Sequence, residues 1–495
     1  MAAELPKTTA ETTAYRETSR YEDVMAFIRA LQKVDPELRV ETFGTSVEGR
    51  ALPLVIAGPE GVVNPETARA SGKPVVFIFA NIHAGEVEGK EAAQMLLRDL
   101  VSTHRKLRDE LVLLIAPIYN ADGNERIAKT NRTTQNGPPG GVGTRENAQG
   151  LDLNRDFMKL ASPEARGLVR NVLHRWDPLL TVDLHTTNGS QHGYQLTYAP
   201  MLNPNSAAPL IDFSRATLLP QITAAMKKNH AKETYYYGNF SDQAAPEKGW
   251  FSFEARPRFG NSYVGLRNRF VILSEAYSYI DFRARVEVTY EFLHEILAAT
   301  VKHGRTMQKL ARDADAETLA LKTQGVQFEM RPWKTNVPIL WEKAPGEIVP
   351  VKMTDHGIFA ATETSAVPYA YVMRAPDAVV ANLITHGIVV ETLNAETKLR
   401  VSRFAVEKAE IAEREFQQHR ALTLTGKWSD AELTFPAGTH VVRMKQPLAR
   451  LAFYLLEPRS DDSLFTWNFF DVEDEAPVYK VMEAVALDAT VVRDN

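Results

Sequence analysis

At 495 residues and 55.3 kDa the chain has room for about two to four domains of roughly 150 residues each. Hydrophobic residues make up 44% and charged residues 24%, which excludes disordered and collagen-like classes. A formal net charge of −5 supplies no basic footprint for nucleic acid. No apolar run approaches the roughly 18 residues of a membrane span. Cysteine is absent, so disulfides, thiol catalysis and cysteine-ligated zinc are excluded, and any metal must be held by His, Asp or Glu.

In chain order, the start Met1–Thr9 has no apolar core and is not a signal peptide; it suits a cytoplasmic protein or an exported one without its leader. Tyr21–Leu31 carries apolar residues at helical spacing behind Ser19, a candidate cap. Val40–Phe43 and Leu52–Ala57 read as strands around a turn at Glu48-Gly49. Pro74–Ala80 is a continuous apolar run, as expected of a central strand covered on both faces. A helix over Val87–Leu100 follows, then buried strands at Leu111–Ala116, Leu179–Leu184 and Phe270–Leu273. Apolar strands alternating with helices predict an α/β fold with a mixed, mostly parallel central sheet and helices on both faces. After a helix at Glu287–Lys309 the pattern changes to short strands, among them Val326–Met330, Thr439–Arg443 and Ala452–Leu456, interrupted by one charged helix at Val406–Gln418. This predicts a first α/β domain over 1–310 and a smaller β-rich C-terminal domain over 311–495.

Ligands of open α/β sheets gather outside the carboxyl ends of the strands. Here those ends run into Asn81-Ile-His83-Ala-Gly-Glu86, Tyr119–Gly123, His185–Gly189 and Glu275-Ala-Tyr277. His83 and Glu86, three residues apart in a tight turn, can reach one ion, and His185 can supply a third ligand from another strand end. Two imidazoles, one carboxylate and a position left to water make an open catalytic zinc site. The competing reading of His83-x-x-Glu86 alone is a helix-capping glutamate beside a satisfied histidine.

Taken together, Asn81–Glu86, Asp152-Leu-Asn154-Arg155-Asp-Phe157, Asp183-Leu-His185-Thr-Thr187 and Leu273-Ser-Glu275 resemble, in this order, the zinc carboxypeptidases of the M14 type. The opening helix and Thr42–Arg50 are similar as well, so the resemblance spans about residues 15–300. It implies one Zn²⁺ per chain on His83, Glu86 and His185, and a peptide substrate cut at its C-terminal bond. It also implies Glu275 as general base, Asp152 orienting His83, and Asn154 and Arg155 gripping a terminal carboxylate. Arg132 resembles the oxyanion-stabilising arginine, with Arg145 as competitor, and Tyr263 is the candidate for the family's substrate-closing tyrosine.

The competing readings are structural: Glu275 paired with Arg267 or Arg269, Asp152 as a helix cap, Arg155 paired with Glu164, and Tyr263 as a core tyrosine. Arg256 and Arg258 either favour acidic terminal residues or are solvated loop charges. The aromatic cluster Tyr235–Tyr237, with Phe240 and Trp250–Phe253, either lines a cleft or, as the default, packs in the core. A deacylase of small N-acyl amino acids, similar to aspartoacylase and succinylglutamate desuccinylase, is the alternative activity. Export is expected from the habit of the family.

Overall fold

A computed structural model describes residues 5–493; Met1–Glu4 of the N-terminal start lie outside them. The strands of the first half are β1 (Arg39–Thr45), β2 (Ala51–Ala57), β3 (Val75–Ala80), β4 (Val112–Ala116), β5 (Leu180–Thr186), β6 (Leu196–Ala199), β7 (Thr234–Tyr236), β8 (Asn239–Phe240), β9 (Trp250–Phe251) and β10 (Phe270–Ala276). Eight of them form one sheet in the order β1-β2-β4-β3-β5-β10-β6-β7. The β4-β3-β5-β10 centre is parallel, whereas β1, β2 and β6 join antiparallel. Every residue of β3, β4, β5 and β10 is buried, so both faces of the centre are covered. The chain passes from β3 to β4 on one side and then crosses to β5 on the other. That reversal opens a crevice at the carboxyl ends of β3 and β5.

The helix Glu88–Leu100 packs on the long helix Phe282–Thr318, whose buried stripe includes Val288, Phe292 and Ile296. This long helix runs through residue 310, and one apolar core extends from Val24 to Val478. Beyond it, β11 (Thr323–Arg331) pairs with β14 (Ile358–Ala366). The hairpin β12 (Lys334–Ala344) and β13 (Glu347–His356) adds to β9 and β8 of the first half. The remaining strands are β15 (Ala370–Met373), β16 (Glu391–Leu393), β17 (Thr397–Ile411), β18 (Leu422–Phe435), β19 (His440–Arg443), β20 (Glu475–Val481) and β21 (Ala489–Val491). They form a seven-stranded sheet in the order β18-β17-β20-β15-β19-β16-β21.

Three local expectations are corrected. Val406–Gln418 is not a helix. Its first part belongs to β17, which ladders antiparallel with β18 as far as Ile411 opposite Leu422, and the rest forms the tip of that ribbon. Glu and Lys are good helix formers, but the cross-strand ladder outweighs a local preference of a few tenths of a kcal/mol per residue. Ala452–Leu456 lies in a helix, Ala449–Leu456, buried on every side, where an all-apolar run has no periodicity to distinguish it from a strand. Ser19 does not cap the helix Tyr21–Val34; its hydroxyl and amide donate to the buried carboxylate of Glu91.

The core also sets an acid limit. His386, fully buried, accepts from the Tyr263 hydroxyl at Nδ1 (2.7 Å) and donates from Nε2 to the Met158 carbonyl (3.1 Å). Burial depresses its pKa to about 3; the carbonyl opposes this and the Arg267 cation reinforces it. Above pH ~6.5 the imidazole is neutral in both folded and unfolded chains. As pH falls from there toward 3 only the unfolded chain takes up the proton, so stability drops. The expected result is that His386→Gln unfolds less steeply with acid over this window, by up to about 1.4 kcal/mol per pH unit, in denaturant titrations at stepped pH. Parallel curves for variant and wild type would contradict it.

Candidate active site

The site is assembled where β3, β5 and β10 end. After Ala80 the chain turns through Asn81 in the left-handed region (φ 67°), which asparagine tolerates. His83 and Glu86 close the turn by an amide-to-carbonyl bond of 2.9 Å. Gly85 is required there: a Cβ would collide with Arg132 and lie 2.9 Å from the Gly143 carbonyl oxygen. On the neighbouring parallel strands Glu275 stands in register with His185, so the two side chains share one face.

His83 Nδ1 lies 3.0 Å from Glu86 Oε1, and His185 Nδ1 lies 2.9 Å from Glu86 Oε2 and 3.2 Å from His83 Nδ1. His83 Nε2 meets Asp152 Oδ1 at 3.0 Å, and Asp183 Oδ2 lies 2.9 Å from His185 Nε2. A carboxylate behind each ring favours the proton on Nε2. Both Nδ1 lone pairs then face each other and the Glu86 carboxylate. Two inward lone pairs and an anion, buried to within 3% exposure each, are a mismatched set unless a cation joins them. The donor atoms all lie within 4.8 Å of one another, so His83, Glu86 and His185 fit a divalent metal.

The surrounding charges are graded. Burial would raise the Glu86 carboxyl, but His83 and Arg132, whose Nη1 is 2.9 Å away, hold it well below the ordinary range. Asp152 is likewise held low against burial by His83, Arg145 and Arg155; both Nε and Nη2 of Arg145 reach its Oδ2 at 2.9 Å. Glu275 is pushed up to about 8 by burial, which Glu86 and Asp183 reinforce and His185 opposes. Its Oε2 is buried and has no hydrogen-bond partner among the described residues.

A cleft of about 230 Å³ opens over these groups, lined also by Arg145, Asn154, Arg155, Tyr237, Glu254 and Phe259. Larger grooves, one of about 370 Å³ on the C-terminal sheet and one of about 560 Å³ between the C-terminal region and the Glu254–Arg258 segment, hold no group of three converging metal donors among the described residues; ligand chemistry, and not volume, singles out the smaller one. Arg155 lies over the Phe259 ring, 3.9 Å from its centroid, and donates to the Asn154 carbonyl. Asn154 Oδ1 accepts from the Gly260 amide at 3.0 Å, which pins the residue at the cleft wall. Asp152 also caps the short helix Leu153–Arg155, so orienting His83 and capping coexist in one carboxylate.

The structure separates the competing readings. Glu275 does not meet Arg267 or Arg269; these bond to the Leu173 and His386 carbonyls and to Asp177 and Asp315 respectively. Glu164 takes Asn147 and the Val47 amide, leaving Arg155 to the cleft. Tyr263 is not brought to the cleft. It is fully buried, and its hydroxyl is engaged by His386 and Arg267. Tyr237 instead lines the cleft. It lies just past β7, beside the strand ends, so for this tyrosine the cleft-lining alternative holds and not the default of core packing. Both arginines are ion-paired, Arg145 with Asp152 and Arg132 with Glu86, but Arg145 lines the cleft whereas Arg132 packs against Gly85. Arg258 is paired with Asp462 at 2.8 Å and Arg256 with Glu254 at 2.7 Å, so neither is a free charge.

One contribution had no sequence signal. The tip between β17 and β18 reaches back to the cleft floor: Gln417 Oε1 accepts from the Asp152 amide (2.8 Å) and Gln418 Nε2 donates to the Gln149 carbonyl (2.7 Å).

Fold and site together define an α/β protein with a His-Glu-His group able to hold a metal at the switch point of a mostly parallel sheet. Residues 24–255 match the family model of the zinc carboxypeptidases, peptidase M14. Over that stretch the chain is similar to a zinc carboxypeptidase domain. Mouse carboxypeptidase D is 35% identical over 136 residues, covering 24% of this chain and only 10% of that protein. Carboxypeptidase 2 of Trichophyton rubrum is 23% identical over 502 residues, covering 94% of this chain and 86% of its own. Among solved structures, a metallo-carboxypeptidase from Burkholderia cenocepacia aligns with TM-score 0.42 and 21% identity over 58% of this chain and 70% of that one. Among the described residues no helix is long and apolar enough to cross a membrane.

Proposed function

We propose that the chain is a zinc-dependent metallocarboxypeptidase that hydrolyses the C-terminal bond of peptides, holding one zinc ion on His83, Glu86 and His185. Zinc bound there would supply a Lewis acid for the carbonyl and lower the pKa of water. The remaining work falls to the protein. Arg155, with Asn154 beside it, receives the terminal carboxylate in two parallel N–H···O bonds. Glu275 takes a proton from the attacking water and returns it to the departing amine, so that water is added across the C–N bond. Arg145 donates to the oxygen on which charge develops, and Asp152 keeps the His83 ring oriented.

The observation that carries this reading is the meeting of a three-donor centre, an unpartnered Glu275 oxygen and the Arg155 guanidinium in one 230 Å³ cleft. The test is release of the last residue from N-blocked dipeptides with a free C-terminus. Loss on chelation, recovery with zinc and inertness of C-terminally amidated substrates are expected. Cleavage of acetyl-aspartate or succinyl-glutamate with no action on blocked dipeptides would overturn the reading in favour of a deacylase.

A further inference from the structure

The helix that begins beside Glu86 ends at a second cluster. Asp99 lies eleven residues beyond Glu88, about 16 Å along the axis at 1.5 Å per residue, and so well away from the cleft. His104 follows in the next turn, its amide bonded to the Asp99 carbonyl at 2.8 Å, and His294 faces both from the long helix Phe282–Thr318. One donor atom of each side chain lies within 4.8 Å of the other two. The two imidazole centroids are 4.5 Å apart and tilted by 50°, too oblique for stacking to explain the pairing.

The surroundings are organised as at a ligand site. His294 Nε2 is buried and without a hydrogen-bond partner among the described residues, 3.5 Å from Asp99 Oδ2. The Tyr290 hydroxyl donates to Asp99, and the Tyr290 ring meets that of His294 edge-on at 4.6 Å, fixing both. Arg98, next to Asp99 in the chain, is committed to Glu11 through bonds of 2.7 and 2.8 Å. His294 Nε2 and the Asp99 carboxylate thus face each other without a hydrogen bond, with the exposed His104 ring beside them, and a divalent cation would join all three donors.

We propose that Asp99, His104 and His294 form a second metal site, taking Zn²⁺ or another borderline transition ion such as Ni²⁺. Two nitrogens and one oxygen suit such ions, and Tyr290 holds the carboxylate from behind. Asp99 and His294 are 13% and 17% exposed at their side chains, while His104 is open to solvent, so water completes the coordination and the ion has a way in. The site would clamp the end of one helix to the middle of another and act on stability, not on chemistry.

The test is metal analysis of the full chain, stripped and then dialysed against Zn²⁺ buffered in the low micromolar range. Two equivalents are expected for the wild type and one for His104→Ala/His294→Ala, with peptide hydrolysis unchanged. His83→Ala/His185→Ala should also hold one, and Zn²⁺ should raise its melting temperature by at least about 3 °C, an effect abolished by adding the His104 and His294 substitutions. Equal metal content in the wild type and His104→Ala/His294→Ala would overturn the proposal, whether or not the first site behaves as described. So would a His83→Ala/His185→Ala protein whose melting is indifferent to Zn²⁺.

Discussion

Glu275→Gln is expected to lower kcat for release of a C-terminal residue by about 10²–10⁴-fold, the usual worth of a positioned general base, while zinc content stays at the wild-type level. The two halves of this expectation come from different features of the site. Glu275 is not one of the three converging donors, so the amide leaves the metal centre its ligands. Its Oε2 is buried without a partner in the cleft, beside His185 across the β5–β10 register, so no hydrogen bond of that oxygen is lost when the carboxyl becomes an amide. Gln keeps the shape and removes only the capacity to take a proton. A variant that keeps kcat within about threefold of wild type would take Glu275 out of the mechanism. Loss of zinc together with activity would show instead that the carboxylate supports the centre.

Arg155→Met is expected to act on recognition. Two charge-assisted hydrogen bonds of about 1.5–3 kcal/mol each would be lost, and kcat/KM for substrates with a free C-terminus should fall by about 10²–10⁴-fold. The methionine can still cover Phe259, over which the guanidinium now lies, so folding should be little affected. Because an amidated substrate has no carboxylate to grip, the preference of the wild type for free over amidated ends should collapse in the variant. If the preference survives, the carboxylate is held elsewhere, and Arg145, the other cleft arginine, is the residue to examine next.

What could be read from the sequence was what depends on short stretches. The buried strands declared themselves as apolar runs, because a strand covered on both faces has no polar side. The polar residues immediately after them marked the crevice, because the parallel sheet collects strand ends at one edge. Hence His83, Glu86, His185 and Glu275 were visible at strand ends that the fold then brought together. Where a segment's state depends on partners distant in sequence, local pattern misled. The charged stretch from Val406 is held as a strand by β18, and Ala449–Leu456 is a helix enclosed on all sides.

Choices between side chains of the same type were likewise decided only in three dimensions. Tyr237 and Tyr263, or Arg132 and Arg145, are chemically equal on paper; what differs is which one packing and ion pairing leave facing the cleft. The contact of Gln417 with Asp152 joins residues 265 apart in the chain. A sequence specifies such a contact only through the whole fold, because a single hydrogen bond of about 1 kcal/mol leaves no periodic trace of its own.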